Sequence, residues 1–174
     1  MRGFQLWINL PAANKMDHPE YQEYSAEAFP VVKTSDYTLK VLIGRFADTH
    51  APIVDNTTDV TYFDVQVQPE KHFQLPLPDG NNSLLYVFEG SGLFNAQIVP
   101  LHSLVILDAD GHSFEFIAGK EGARFIVVSG KPIHEPIARY GPFVMNAREE
   151  IDQAMRDFQT NTFVRDRAWI KRDH

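Results

Sequence analysis

The chain has 174 residues, of which 44% are hydrophobic, and it carries a formal net charge of −7 at pH 7. This length and apolar content are sufficient for one well-packed domain. The acidic balance argues against direct binding to a nucleic-acid backbone, and a chain without cysteine can form neither a disulfide nor a thiolate metal site.

The sequence also argues against a membrane protein. No stretch approaches the roughly 18 consecutive apolar residues that a membrane-spanning helix requires, and the first residues lack the pattern of a secretory signal. We therefore expect a soluble, cytoplasmic protein with no membrane partner.

Short runs of alternating apolar residues, separated by Gly, Pro, Asn and Asp, dominate the chain. Phe4, Leu6 and Ile8 are spaced two apart, which predicts a strand. Further strands are predicted at residues 28–32, 37–43, 60–67, 84–88, 103–107, 113–117 and 123–129. Turns are predicted at residues 76–80, 89–92 and 109–111, where Gly and Pro cluster. Many short strands at regular spacing favour a β-sandwich or β-barrel over a parallel sheet.

One amphipathic helix is predicted near the C-terminus, over residues 147–159. Asn146 followed by Glu149 has the spacing of a capping box, in which side chains satisfy the free N–H groups of the first helical turn. A stripe of apolar residues then recurs with helical period: Ile151, Ala154, Met155 and Phe158. The apolar residues 143–145 are expected to pack beneath this helix.

The residues that usually carry catalysis form no recognisable pattern. The seven histidines never occur two or four residues apart, and they are His18, His50, His72, His102, His112, His134 and His174. Ser91 stands between two glycines in a predicted turn and lacks the Gly-x-Ser-x-Gly motif of a nucleophile. The sequence therefore predicts no catalytic, cofactor-binding or metal-binding residue.

Two segments resemble the signatures of a known family. Residues 3–16 read GFQLWINLPAANKM and residues 135–151 read EPIARYGPFVMNAREEI, as in the pirins, which are two-barrel proteins of the cupin superfamily. The resemblance implies an all-β fold, an antiparallel cupin-type barrel of jelly-roll type with one C-terminal α-helix. It places that domain at residues 28–163, after a strand and connector at residues 1–27 and before a tail at residues 164–174.

The resemblance also implies a metal-free chain. In a full-length pirin an N-terminal barrel precedes the GFQLW strand and holds iron or another divalent metal through three histidines and one glutamate, whereas only Met1 and Arg2 precede that strand here. The chain thus resembles the C-terminal part of a pirin. Apolar residues occupy the stretch that resembles the cupin metal motif, and His112, near the position of a further ligand, is expected to be structural or exposed. No cofactor is expected.

Three functions follow from the resemblance. The favoured one is a non-catalytic binding or oligomerisation module, since fold alone does not establish chemistry. The alternatives are a metal-dependent enzyme similar to quercetin 2,3-dioxygenase, an activity linked to pirins, and a regulatory cofactor that binds a protein partner. A homodimer through the N-terminal strand is also predicted, because Phe4, Leu6, Trp7 and Ile8 would lack part of their cover without the first barrel. The alternative is a monomer in which residues 3–27 fold back on their own barrel.

Overall fold

The computed structural model describes residues 3–53, 55, 57–168 and 170–171. The chain divides into two compact units. The larger unit is Tyr24–Pro132, and the smaller one combines Met1–Glu23 with Ile133–His174. The division into domains at residues 1–27, 28–163 and 164–174 stays a prediction.

Strands account for most of the regular structure. In chain order they are β1 (Tyr21–Gln22), β2 (Val31–Lys33), β3 (Tyr37–Ile43), β4 (Arg45–Phe46), β5 (Thr49–His50), β6 (Thr61–Val67), β7 (His72–Pro76), β8 (Asn82–Phe94), β9 (Gln97–Val99), β10 (Leu104–Leu107), β11 (Ser113–Gly130), β12 (Ala138–Tyr140), β13 (Phe143–Met145) and β14 (Ile170–Lys171). The helix α1 spans Arg148–Gln159. Short 3-10 turns occur at Ala12–Asn14 and Ala26–Ala28.

The larger unit is built around the long strand β11. Its main sheet has the order β10-β8-β11-β6-β3-β2, with β7 paired to β11 and β9 paired to β8, and every one of these pairs is antiparallel. The first part of β11 pairs with β7 and the later part with β6. β11 therefore pairs with different strands along its length. The predicted antiparallel cupin-type fold is confirmed.

Alternation along the strands fills the barrel with apolar side chains. Odd-numbered residues of β6 and β7 and even-numbered residues at the start of β11 point inward, as the burial pattern of each strand shows. Phe125 lies at the centre of this core, with its ring centroid 4.7 Å from that of Phe116 and 5.8 Å from that of Phe73. Burial of such side chains contributes about 1.5–3 kcal/mol each to folding.

The glycine-rich stretch at residues 89–92, a predicted turn, lies inside a strand, and so does Gly122. β8 continues through Gly90, and β11 continues through Gly122, where the register between the two strands shifts. Both glycines have positive φ, and a Cβ at Gly90 would lie 2.1 Å from the carbonyl oxygen of Gly122. The predicted turn at residues 89–92 is therefore wrong: glycine here permits a β-bulge and a close approach of two backbones.

The strand predicted at residues 4–8 is also wrong. The described residues 3–11 have no regular secondary structure. Alternation of apolar residues is insufficient for a strand, because the backbone also needs a neighbouring strand to pair with. At residues 28–32 the prediction is only partly right, since Ala28 ends a 3-10 turn and the strand begins at Val31.

The smaller unit holds the helix on a short hairpin of β12 and β13. Phe143 on β13 packs against Ile151 and Ala154 of α1, and its ring centroid is 5.0 Å from that of Phe163. The predicted packing of residues 143–145 beneath the helix is thus confirmed. Within the described residues, no helix is long and apolar enough to cross a membrane.

The helix cap is displaced by one residue from its prediction. Ala147 is the N-cap and Glu150 occupies the third helical position, so Asn146 and Glu149 do not form the cap. The Glu150 carboxylate accepts hydrogen bonds from the backbone N–H groups of Ala147 at 2.8 Å and Asn146 at 2.9 Å. Alanine has no side-chain acceptor, so only the carboxylate half of a capping box is formed.

Candidate functional site

The interior of the barrel beside β7 is filled with packed apolar side chains. On β7, Phe73 and Leu75 are buried and face the interior, while His72 and Gln74 are exposed on the outer surface. β7 therefore presents an aromatic ring and an aliphatic side chain to the interior. This arrangement follows directly from the period of two along a strand.

The neighbouring strands complete the apolar interior. Leu85 and Val87 on β8 are fully buried, and Phe114 and Phe116 on β11 are buried with them. The ring centroid of Phe114 lies 5.9 Å from that of Phe73. Divalent metals such as iron require imidazole or carboxylate ligands, and these buried side chains supply none.

Three histidines lie beside carboxylates. Within the larger unit, His72 Nδ1 is 2.9 Å from Glu115 Oε1 and His112 Nδ1 is 2.5 Å from Asp79 Oδ1. In the smaller unit, His18 Nδ1 is 3.1 Å from Asp166 Oδ2. These pairs could not be predicted from the sequence, because the members of each pair are far apart in the chain.

His112 is a surface residue. Its side chain is 79% exposed, and its hydrogen bond to the Asp79 carboxylate, together with the charges of Asp79 and Asp110, raises the pKa of the imidazole. Across the described part of the chain, no three His, Asp or Glu side chains are grouped so that they could hold a metal ion. That finding covers described residues only, and the prediction of an absent metal site stays a prediction.

A more protected ion pair lies on the outer face of the sheet. The Arg124 guanidinium on β11 donates two hydrogen bonds to the Asp64 carboxylate on β6, at 2.9 and 2.6 Å, and it lies 5.3 Å from the Phe88 ring centroid. The hydrogen bond to Asp64 raises the pKa of Arg124. Arg124 and Gln66 are register partners, as are Ile126 and Asp64, so the contact is diagonal across the strand pair.

A cavity of the larger unit lies beside the β4–β5 hairpin and the end of β7. Its volume is about 790 Å³. Phe46, Phe63 and Leu75 contribute apolar surface to it, and Arg45 and His50 contribute basic groups. The sequence analysis assigned no role to these residues, because β4 and β5 have two residues each and leave no periodic signal.

The loop before β6 supplies carboxylates to this cavity. Burial would raise the pKa of Asp55, but hydrogen bonds from the Thr58 hydroxyl and from the N–H groups of Thr57, Thr58 and Val60 outweigh it, so the pKa is lowered. Asp55 is thus ionised and engaged by its own loop. Asp59 also lines the cavity and is exposed, with a φ of 50°.

A polar cluster in the smaller unit joins the two signature segments. Glu135 Oε2 accepts hydrogen bonds from the N–H of Ala12 at 2.7 Å and from Asn146 Nδ2 at 2.8 Å. Asn146 Nδ2 also donates to the carbonyl of Pro136 at 3.0 Å. Asn146 therefore holds the Glu135 side chain and the backbone of Pro136 in place. It does not act as the predicted helix cap.

Comparison with known proteins agrees with this architecture. The family model for the Pirin C-terminal cupin domain matches residues 62–164. A protein of Pseudomonas aeruginosa, whose name assigns it provisionally to the quercetin 2,3-dioxygenases, is 40% identical over 167 residues, which are 91% of this chain and 58% of that protein. Human pirin is 34% identical over 174 residues, which are 96% of this chain and 59% of human pirin.

A solved structure is similar to this chain over most of its length. The crystal structure of a quercetin 2,3-dioxygenase from Acinetobacter baumannii superimposes with a TM-score of 0.84 and 31% sequence identity, covering 90% of this chain and 55% of that one. The chain spans a little more than half the length of the relatives it matches. The matched segment, its antiparallel barrel and its signature residues together show that the chain belongs to the pirin family, in the region of the Pirin C-terminal cupin domain.

Proposed function

We propose that this cupin barrel is a non-catalytic binding module, and that its residues neither hold the metal nor perform the oxygen chemistry named in some relatives. The observation that carries the proposal is the interior itself. Phe73 and Phe116 are both 0% exposed and pack in the interior of the barrel, where neither side chain offers a ligand atom to a metal.

The free energy of burying a metal ion in this interior also supports the proposal. A divalent ion among Phe, Leu and Val side chains would lose its hydration shell and gain no ligand, and an uncompensated buried charge is strongly unfavourable. At least three imidazole or carboxylate ligands would have to replace buried apolar residues to reverse this. The relatives named for quercetin 2,3-dioxygenase are longer than this chain, so their named activity is not assigned to the residues of this barrel.

An activity assay tests the proposal. The full chain is purified, dialysed against iron, nickel, copper or manganese, and assayed for quercetin consumption with and without a chelator, while bound metal is measured by mass spectrometry. We expect metal far below one ion per chain and quercetin loss equal to a blank. Stoichiometric metal with turnover that a chelator abolishes and one metal restores would overturn the proposal and favour the enzymatic alternative.

We propose oligomerisation as a second role, on the evidence of the N-terminal segment. Trp7 is 70% exposed, and Phe4, Leu6, Ile8 and Leu10 are exposed as well. Contiguous exposed apolar side chains are unfavourable in water, and a second copy of the chain is the simplest partner that could cover them symmetrically. A regulatory protein partner is the alternative occupant of the same segment.

Analytical ultracentrifugation tests this second role. The wild-type chain and a Phe4→Ser, Trp7→Ser double variant are compared, with Ile98→Ser as a control that removes an exposed apolar side chain elsewhere. We expect a dimer at micromolar concentration for the wild type and the control, and a monomer for the double variant. A monomeric wild type would reject the homodimer and leave the heterologous partner to be sought.

A further inference from the structure

The cavity beside the β4–β5 hairpin has the dimensions of a small-molecule site. Its volume of about 790 Å³ falls within the roughly 300–1,000 Å³ of typical ligand pockets. All of the described residues that line it belong to the larger unit. Its lining includes Phe63 and Leu75 of the hydrophobic core, so a ligand in the cavity would pack against core side chains.

Aromatic and aliphatic side chains form one wall of the cavity. Phe63 and Leu75 are buried, and the half-buried ring of Phe46 meets that of Phe63 edge to face at 6.0 Å. Tyr37 holds the other side of Phe46, with ring centroids 6.4 Å apart. The ring of Phe46 is therefore fixed by its neighbours and offers a preformed surface to another flat, apolar group.

Two basic side chains stand together at the rim. Arg45 and His50 are register partners across the hairpin, and both are exposed. In the described part of the chain, neither is found in an ion pair. Guanidinium groups bind carboxylates through two parallel hydrogen bonds, and an imidazole beside the guanidinium adds a further donor.

The hairpin that carries these groups is held close to the barrel. The N–H of Ala51 donates to the carbonyl oxygen of Gly44 at 2.9 Å. Gly44 has a φ of 83°, and a Cβ added there would lie 2.8 Å from Thr61 Cγ2 on β6. Because the hairpin packs so closely on the barrel, the positions of Arg45 and His50 are set before any ligand binds.

The carboxylates of the cavity limit the charge of the ligand. Asp55 is ionised and accepts hydrogen bonds from its own loop, whereas Asp59 is exposed at the same cavity. One negative group of a ligand can pair with Arg45, but a second negative group would be repelled by the two aspartates. Arginine and two aspartates together therefore favour a monoanion over a dianion.

The geometry points to this cavity as a binding site for a monoanionic aromatic acid, with its ring on Phe46 and its acid group on Arg45 and His50. This inference rests on the proposed binding role of the barrel and specifies its ligand class. It requires no metal and no chemical step. The acid is held by charge-assisted hydrogen bonds, and its ring is removed from water.

The probe is 2-naphthoate, and its matched control is 2-naphthamide, which has the same rings without the charge. Both are titrated into the full chain labelled at methyl groups and followed by NMR. We expect 2-naphthoate to shift the methyl signals of Leu75 and Ala51, which line the cavity, and to leave those of Ile98 and Ile106 unchanged. The amide is expected to bind more weakly than the acid.

Two variants test whether the charge of Arg45 contributes to ligand binding. Arg45→Gln is expected to weaken 2-naphthoate about tenfold and to leave 2-naphthamide unchanged. Lys33→Gln removes the same charge from an exposed position outside the lining residues and should change neither affinity. Because Arg45 is exposed, its substitution leaves the core intact, and the unshifted methyl spectrum of the free variant verifies folding.

Each outcome decides the inference. The inference is supported if 2-naphthoate shifts the signals of residues that line the cavity, and if Arg45→Gln weakens binding of the acid but not of the amide. An absence of binding at millimolar 2-naphthoate, shifts confined to other parts of the chain, or equal affinities of acid and amide would overturn it. These results are independent of the metal and quercetin measurements, so a failure here is distinguishable from a failure of the proposed non-catalytic role.

Discussion

The inner and outer faces of β7 and β11 differ completely in composition, although they belong to the same two strands. Inward positions carry Phe73 and Phe116, whereas outward positions carry His72 and Glu115, which form an exposed pair. In a cupin the chemistry of the barrel depends on which residues point inward. His72 thus lies on the outer face of β7, opposite the apolar interior.

This comparison predicts the largest effect for a change on the inner face. Phe116→Ala should lower the free energy of unfolding by about 3–5 kcal/mol, because it removes buried apolar area and leaves a cavity beside Phe125. His72→Ala, on the outer face of β7, should change it by less than about 0.5 kcal/mol. Urea denaturation followed by circular dichroism measures both. Equal losses in the two variants would show that the faces are not distinguished in this way.

An intermediate effect is expected for the protected pair on the outer face. Asp64→Asn removes the bidentate partner of Arg124, and with allowance for solvent screening it should cost about 1 kcal/mol. Lys71→Gln is the matched control, since its 3.7 Å contact with Asp36 is longer and both side chains are about half exposed; it should cost about 0–0.5 kcal/mol. Urea denaturation measures both losses of unfolding free energy. An equal loss in Lys71→Gln and Asp64→Asn would contradict the greater strength of the Arg124–Asp64 pair.

The smallest effect concerns the exposed pair of His112 and Asp79, and it depends on pH. The hydrogen bond to Asp79 raises the pKa of His112 above the ordinary value of a histidine side chain. A raised pKa in the folded state means that the pair stabilises fully below the pKa of the unfolded chain, and that this contribution is lost as the pH rises through the folded pKa.

An NMR titration of the imidazole checks this prediction. In the wild type, the midpoint of His112 should lie above that of the same residue in Asp79→Asn, and any stability difference between the two proteins should shrink between neutral and alkaline pH. A wild-type midpoint equal to or below that of the variant would reject the pairing.

Much of the barrel could be predicted from the sequence. The strand predicted at residues 37–43 matches Tyr37–Ile43, because its period of two coincides with burial on one face and pairing on both edges. Burial within the strand that contains Phe63 and Val65 follows the same rule. Residues 4–8 show the limit of that rule, since their period of two is not accompanied by a pairing partner among the described residues.

The cavity and the paired residues could not be predicted in this way. Arg45 and His50 approach because of a hairpin whose strands are only two residues long. Arg124 and Asp64 are separated by 60 positions and meet through the register of β6 and β11. Gly90 and Gly122 are turn residues by local rules, yet the contact between their two backbones assigns them to a bulge. Each of these features is set by tertiary contacts, which local patterns do not encode.

The central claim, that the barrel interior holds apolar contacts in place of a metal, has one direct test. Manganese(II) is titrated into methyl- and phenylalanine-labelled protein, and paramagnetic broadening is measured residue by residue. The account predicts no selective broadening of Phe73, Phe116, Leu85 or Val87. Selective loss of these interior signals at one equivalent of metal, reversed by a chelator, would contradict it.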